Sequence, residues 1–118
     1  MMNRKMILLF SHKLCEEQIK YAKDEYNINK FVYLPKDLQY IWSNIDPDIE
    51  NLHRVLEPIK EFLKTNISPS DFVLIQGDFG ASFMMVNFVK DLIAIPVYAT
   101  TKRIAKEFPL PIFRYHPS

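Results

Sequence analysis

Apolar positions along the chain fall into two kinds of pattern. Four unbroken runs stand out: Met6-Ile7-Leu8-Leu9-Phe10, Phe31-Val32-Tyr33-Leu34, Phe72-Val73-Leu74-Ile75 and Ile95-Pro96-Val97-Tyr98-Ala99. Short runs without polar alternation suit strands buried on both faces, the habit of central parallel strands. Between them, apolar residues recur at steps of three and four. Ile19, Tyr21, Ala22 and Tyr26 mark a helix over Glu16–Tyr26, with Glu16 and Glu17 well placed in its first turn. Lys36–Trp42 reads as a helical turn or two. Leu52, Val55, Leu56, Ile59, Phe62 and Leu63 predict a long helix from Pro47 or Asp48 to about Asn66, kinked or broken at Pro58. A helix from Ala81 to about Leu92 is apolar nearly all round, which predicts cover from the sheet and from something further, such as a second subunit. Thr100–Arg103 closes the fourth strand, Ile104–Glu107 reads as a helical turn, and Ile112–Tyr115 as a weak edge strand of antiparallel sense.

The order is β-α-β-α-β-α-β with a weak fifth strand. It predicts a single α/β, Rossmann-like domain: a mostly parallel sheet of four to five strands, right-handed crossovers and helices on both faces. A length of 118 residues fits one such domain over 1–118. Ligands of such sheets bind beyond the carboxyl ends of the strands, where strand order reverses. That directs attention to Ser11–Lys13, Leu34–Lys36, Gln76–Gly80 and Thr100–Arg103.

Composition narrows the function. Hydrophobic residues make up 48% and charged ones 25%, which excludes a disordered chain. Nine Phe, six Tyr and one Trp are many for the length, leaving aromatic surface for an interface or a ligand. A net charge of +1 argues against DNA or long RNA as partner but leaves room for a local site for a small anion. One cysteine allows no intrachain disulfide and points to the reducing cytoplasm. The N-terminal apolar run is too short for a signal-peptide core or a membrane span.

Gln76-Gly77-Asp78-Phe79-Gly80 holds both glycines of the chain between a strand and a helix. Glycine allows positive φ and close approach of a ligand. The amides of Gly80, Ala81 and Ser82 would point out of a helix N-terminus, a ready anion site. Alternatively the segment is a tight turn with Asp78 as a cap. It is neither a Walker loop nor a complete G-x-G-x-x-G. Ser11-His12-Lys13 offers a donor, an acid or base near neutral pH, and a phosphate partner, or else a helix cap with exposed neighbours. Thr100-Thr101-Lys102-Arg103 brings two hydroxyls and two cations suited to phosphate, or a solvated loop. Trp42, beside Ser43-Asn44, can stack on a base or simply pack. His53 and His116 belong to no constellation. Cys15 reads as a small buried residue. No spacing of Cys, His, Asp or Glu forms a metal site, and no cofactor is implied.

Several stretches together resemble a CRISPR-associated family of type III systems, the Csx family numbered twenty. They are Leu8-Leu9-Phe10-Ser11-His12-Lys13-Leu14, Phe31-Val32-Tyr33-Leu34-Pro35, Ile41-Trp42-Ser43-Asn44-Ile45, Leu56-Glu57-Pro58-Ile59-Lys60, Val73-Leu74-Ile75-Gln76-Gly77-Asp78-Phe79-Gly80 and Pro96-Val97-Tyr98-Ala99-Thr100-Thr101-Lys102-Arg103. The resemblance implies a CARF-like domain and a ring nuclease of antiviral defence that cuts cyclic oligoadenylate, above all cyclic tetra-adenylate. It implies a homodimer, because a two-fold assembly presents the same groups to both halves of the ring. Cleavage without metal follows if the ribose 2′-hydroxyl is aligned with its own phosphodiester. On this reading His12, Lys13 and Lys102 are the catalytic candidates. Ser11, Thr100, Thr101 and Arg103 hold phosphate. Gln76, Gly77, Asp78, Phe79 and Gly80 hold ribose or phosphate, and Trp42 and Asn44 contact adenine. A non-catalytic binder, or an interaction module that binds no nucleotide, remains the alternative.

Overall fold

The computed structural model describes residues 4–105 and 108–117, with side chains omitted for 102–110. Its elements are β1 (Arg4–Leu9), α1 (Glu16–Tyr26), β2 (Ile28–Tyr33), α2 (Lys36–Ser43), α3 (Leu52–Asn66), β3 (Phe72–Ile75), α4 (Phe79–Asp91), β4 (Ile95–Ala105) and β5 (Phe108–Tyr115). The sheet runs β2-β1-β3-β4-β5, with β5 antiparallel to β4 and every other pair parallel. This is the mixed α/β, Rossmann-like domain the alternation predicts.

The unbroken apolar strands are split by parity between two cores. Met6 and Leu8 of β1, with Phe72 and Leu74 of β3, pack under α1 beside Ala22, Tyr26 and Phe113. Ile7, Leu9, Val73 and Ile75 face the other way, into a core closed by Trp42 of α2, by Leu56, Ile59 and Leu63 of α3, and by Met85 and Val89 of α4. The chain leaves β1 toward β2 and then crosses back over β1 to β3. With crossovers of one hand, that reversal puts α1 on one face and the later helices on the other.

Several expectations are corrected. The Pro58 break is absent: α3 continues through it to Asn66. That helix starts at Leu52, not Pro47 or Asp48, because Asn51 Oδ1 accepts from Arg54 N–H at 3.1 Å. Asp46 serves a turn instead, accepting from Asp48 N–H at 2.9 Å. Within the single chain the sheet covers only part of α4, and Phe79 and Phe83 stand 87% and 64% exposed. Thr100, Thr101, Lys102 and Arg103 do not close β4. They continue it, paired with Ile112, Pro111, Leu110 and Pro109 of β5. The helical turn expected at Ile104–Glu107 gives way to strand at Ile104 and Ala105, while 106 and 107 lie outside the described residues.

At the opposite edge of the sheet, Asp71 is buried. It accepts from Lys5 Nζ at 2.5 Å and from Ser68 N–H at 2.7 Å, pinning the start of β3 to β1. No described helix is long and apolar enough to cross a membrane.

Candidate functional site

Strands β1 and β3 end side by side, and Gln76 N–H donates to Leu9 O at 3.0 Å. The segments that follow therefore leave the sheet together, at the point where strand order reverses. Sequence reasoning placed its two main candidates on these segments.

On the β1 side, Ser11, His12 and Lys13 are all exposed. Ser43 Oγ donates to Ser11 Oγ at 3.0 Å, which ties the segment to the end of α2. The His12 ring meets Phe10 edge-on with centroids 5.4 Å apart. Leu14 N–H donates to the Tyr33 hydroxyl at 3.2 Å. The cap of α1 is Cys15, not Ser11, and Gln18 Oε1 accepts from Cys15 N–H at 2.9 Å. That capping position leaves Cys15 at the surface, contrary to its expected burial. Asn44 is exposed at the end of α2, donating through Nδ2 to Tyr40 O at 2.8 Å.

On the β3 side, much of the polar equipment is used internally. Gln76 Oε1 accepts from Ala99 N–H at 2.9 Å, a side-chain rung added where the last β3–β4 pair, Leu74–Val97, has passed. Asp78 caps α4, its Oδ2 accepting from Ala81 N–H at 3.0 Å while its carbonyl accepts from Ser82 N–H at 2.8 Å. Two of the three amides expected to hold an anion are thus engaged by Asp78. Its carboxylate supplies the negative charge that the helix N-terminus favours. A phosphate at this helix end would meet like charge. Phe79, the first residue of α4, is fully presented to solvent.

Trp42 needs the plainest correction. It is 2% exposed, and its Nε1 donates to Gln76 O at 3.1 Å. Buried in the core below the segment, it offers no face to a base. It also explains Gly77: a Cβ there would stand 2.8 Å from Trp42 Nε1. Neither glycine has positive φ, so close approach is what Gly77 supplies, and the neighbour is the indole. At Gly80 a Cβ would meet Leu52 Cδ2 at an ordinary 3.4 Å.

Thr100 is half-buried and Thr101 exposed, both on the part of β4 that pairs with β5. From Thr100 to Ala105, six residues at roughly 3.3 Å each carry β4 about 20 Å past the end of β3. The side chains of Lys102 and Arg103 lie outside the described residues.

One residue of the site escaped sequence reasoning. His116 follows β5, and its Nε2 lies 2.8 Å from Ile75 O, the carbonyl at the end of β3. A carbonyl only accepts, so Nε2 is the donor, and in the neutral ring Nδ1 keeps the lone pair. The His116 backbone N–H donates to Pro96 O at 2.9 Å, and its ring lies 5.0 Å from that of Tyr98. Lys90 Nζ donates to Pro117 O at 3.1 Å and holds the following residue against α4. Between α4 and this segment runs a cleft of about 470 Å³, bounded by Gln76, Phe79, Ser82, Tyr98 and His116. It continues as a further 370 Å³ past Phe83 and Asn87. Only the crossing of the terminal segment over β4 creates it, and no local pattern signals that.

The model of the uncharacterized protein MJ1673 family matches residues 4–111. The chain belongs to this family. A relative, the uncharacterized protein MJ1673 of Methanocaldococcus jannaschii, is 56% identical over 103 residues, 87% of this chain and 80% of the relative. No solved structure matches the chain. The stretch matched by the MJ1673 family contains both strand-end segments and stops short of His116.

Proposed function

We propose that this chain is a cytoplasmic ring nuclease. It binds cyclic oligoadenylate, above all cyclic tetra-adenylate, along the carboxyl edge of its sheet and ends type III CRISPR signalling by cutting it. The observation that carries this reading is the adjacency of two segments where strand order reverses. Exposed Ser11, His12 and Lys13 follow β1, and Gln76, Gly77 and Asp78 follow β3, joined through Gln76 N–H to Leu9 O at 3.0 Å.

The ring's own 2′-hydroxyl attacks the adjacent phosphorus and the bond to the 5′-oxygen breaks. Two such cuts give linear di-adenylate ending in 2′,3′-cyclic phosphate. His12 takes or gives the proton, and Lys13, with Lys102 and Arg103, balances charge on the phosphate. Ser11, Thr100 and Thr101 donate hydrogen bonds to phosphate, and Asn44 contacts the edge of an adenine. Asp78 stays as the cap of α4, and Trp42 supports Gly77 from below. A homodimer supplies the same groups to both halves of the ring.

Sequestration without cutting is the second reading. It is favoured by the absence, among the described residues, of a hydrogen bond that orients the His12 ring, whose recorded contact is the edge of Phe10. Incubation with cyclic tetra-adenylate in EDTA, followed by chromatography and mass, decides between them. Linear di-adenylate with a cyclic phosphate supports the nuclease, and His12→Ala then keeps binding while cutting falls about 10²- to 10⁴-fold. Intact ring that co-elutes with the protein makes it a binder. A protein that neither binds nor cuts the ring overturns the proposal.

A further inference from the structure

With Trp42 sealed in the core, the adenines of the proposed ligand need another partner. We infer that the cleft between α4 and the terminal segment is a purine-base subsite, with adenine held against Phe79 and Phe83. This deepens the cyclic-oligoadenylate reading and rests on it.

Three observations converge. Phe79 and Phe83 stand one turn apart on α4 and are 87% and 64% exposed. Large aromatic faces at i and i+4 form one continuous apolar surface, and leaving them in water is unfavourable unless something covers them. The cleft they border holds about 370 Å³ beside these rings, the size of a small ligand, and opens into a shallow surface depression toward Gln76. Its wall also carries polar atoms suited to a heterocycle. The Ser82 hydroxyl is buried and, among the described residues, has no hydrogen-bond partner. His116 is held through Nε2 on Ile75 O, so its Nδ1 lone pair is the ring's remaining hydrogen-bonding site. Adenine supplies the matching set: ring nitrogens that accept from a hydroxyl, and an exocyclic amino group that donates to an imidazole lone pair. A pyrimidine offers less ring area to the two phenyl faces.

The cleft opens at Gln76 and Gly77, the residues that border the strand-end site. A base lodged there belongs to a nucleotide whose phosphate lies toward Ser11–Lys13. Adenosine, which has no phosphate, probes the base subsite alone.

The test is an NMR titration of the ¹⁵N-labelled full chain with adenosine and, separately, with uridine. In parallel, cyclic tetra-adenylate binding and cutting are measured for the parent, Phe79→Ala and Phe83→Ala. Both side chains are exposed, so these variants fold. Adenosine should shift the amides of Phe79, Ser82, Phe83 and His116 more than uridine does. Each substitution should weaken adenosine and cyclic tetra-adenylate binding about tenfold, the size of one lost base–aromatic stack. Adenosine shifts at the cleft with no binding of cyclic tetra-adenylate would keep the subsite and sink the ring-nuclease reading. Normal binding and cutting by both variants, with no adenosine shifts at the cleft, would overturn the subsite and leave the nuclease standing. Equal shifts from uridine would overturn the purine assignment.

Discussion

Gly77→Ala tests the packing that shapes the strand-end segment. Gly77 has no positive φ, so alanine suits its backbone. By itself that change would stabilise the fold by about 0.4–1 kcal/mol, because the unfolded chain loses freedom. The indole reverses the sign. The new Cβ would lie 2.8 Å from Trp42 Nε1, 3.0 Å from Cε2 and 3.2 Å from Cζ2. Ordinary contacts begin near roughly 3.5 Å, so the ring must retreat by about half an ångström. It is 2% exposed within the core that α2, α3 and α4 close, so it cannot retreat without disturbing that packing. Overpacking of this kind costs about 1–3 kcal/mol. The hydrogen bond from Nε1 to Gln76 O, 3.1 Å in the parent, is strained as well, at about 0.5–1.5 kcal/mol. The net loss is about 2–3 kcal/mol, near 10 °C in Tm for a domain of this size. Urea unfolding followed by fluorescence measures it well, since Trp42 is the single tryptophan of the chain. A Trp42→Phe background removes the indole nitrogen and the tryptophan signal, so unfolding there is followed by far-UV circular dichroism, and in it Gly77→Ala should be close to neutral. Gly77→Ala at parental stability or above would refute the close approach. An equal loss in both backgrounds would place the cost in the backbone instead.

Two further predictions concern the scaffold. Pro58→Ala should stabilise the protein by about 2 kcal/mol, read from denaturant midpoints. It restores an N–H to the interior of α3 and loses no buried contact because Pro58 is exposed, although the unfolded chain regains some freedom. The second concerns Tyr26, whose hydroxyl donates to Phe113 O at 3.2 Å and is pushed above its ordinary value of 10.0, chiefly by burial and then by Tyr21. The folded state keeps this proton where the unfolded chain releases it. The contribution is therefore complete below about pH 10 and is lost as pH rises beyond it. Tyr26→Phe should lower stability at neutral pH by about 1 kcal/mol and flatten the decline above pH 10; an unchanged alkaline slope would exclude Tyr26 as its source.

Elements buried on two faces were legible because burial leaves a continuous apolar run. Met6–Leu9 and Phe72–Ile75 read correctly as central strands for that reason, and the Glu16–Tyr26 stripe matches α1 at both ends. The outer part of β4 left no such trace. Thr100 to Arg103 are polar, and their partner strand β5 carries Pro109 and Pro111. Proline is normally a strand breaker but is tolerated on an edge, where its missing N–H faces away from the ladder. Only the antiparallel pairing makes strand of these residues. Pro58 misled in the opposite direction, since apolar burial of Leu56, Ile59 and Leu63 outweighs one lost helical hydrogen bond.

At the site, local rules located the edge where strands end but not which side chains remain free there. That depends on partners distant in sequence. Trp42 reaches Gln76 across 34 residues, and Gln76 reaches Ala99 across 23. Both contacts consume groups that look available in the sequence. Asp78 is the local exception, a cap that the sequence already offered as an alternative. His116 shows the converse. Its partner Ile75 lies 41 residues away, so nothing around position 116 distinguishes it from an idle tail residue. The polar groups left unspent at this edge are the ones that local chemistry alone cannot rank. His12 and Lys13, exposed after β1, are therefore where substitution should separate the proposed ligand binding from folding, whereas a change at His116 also removes its hydrogen bond to Ile75 O.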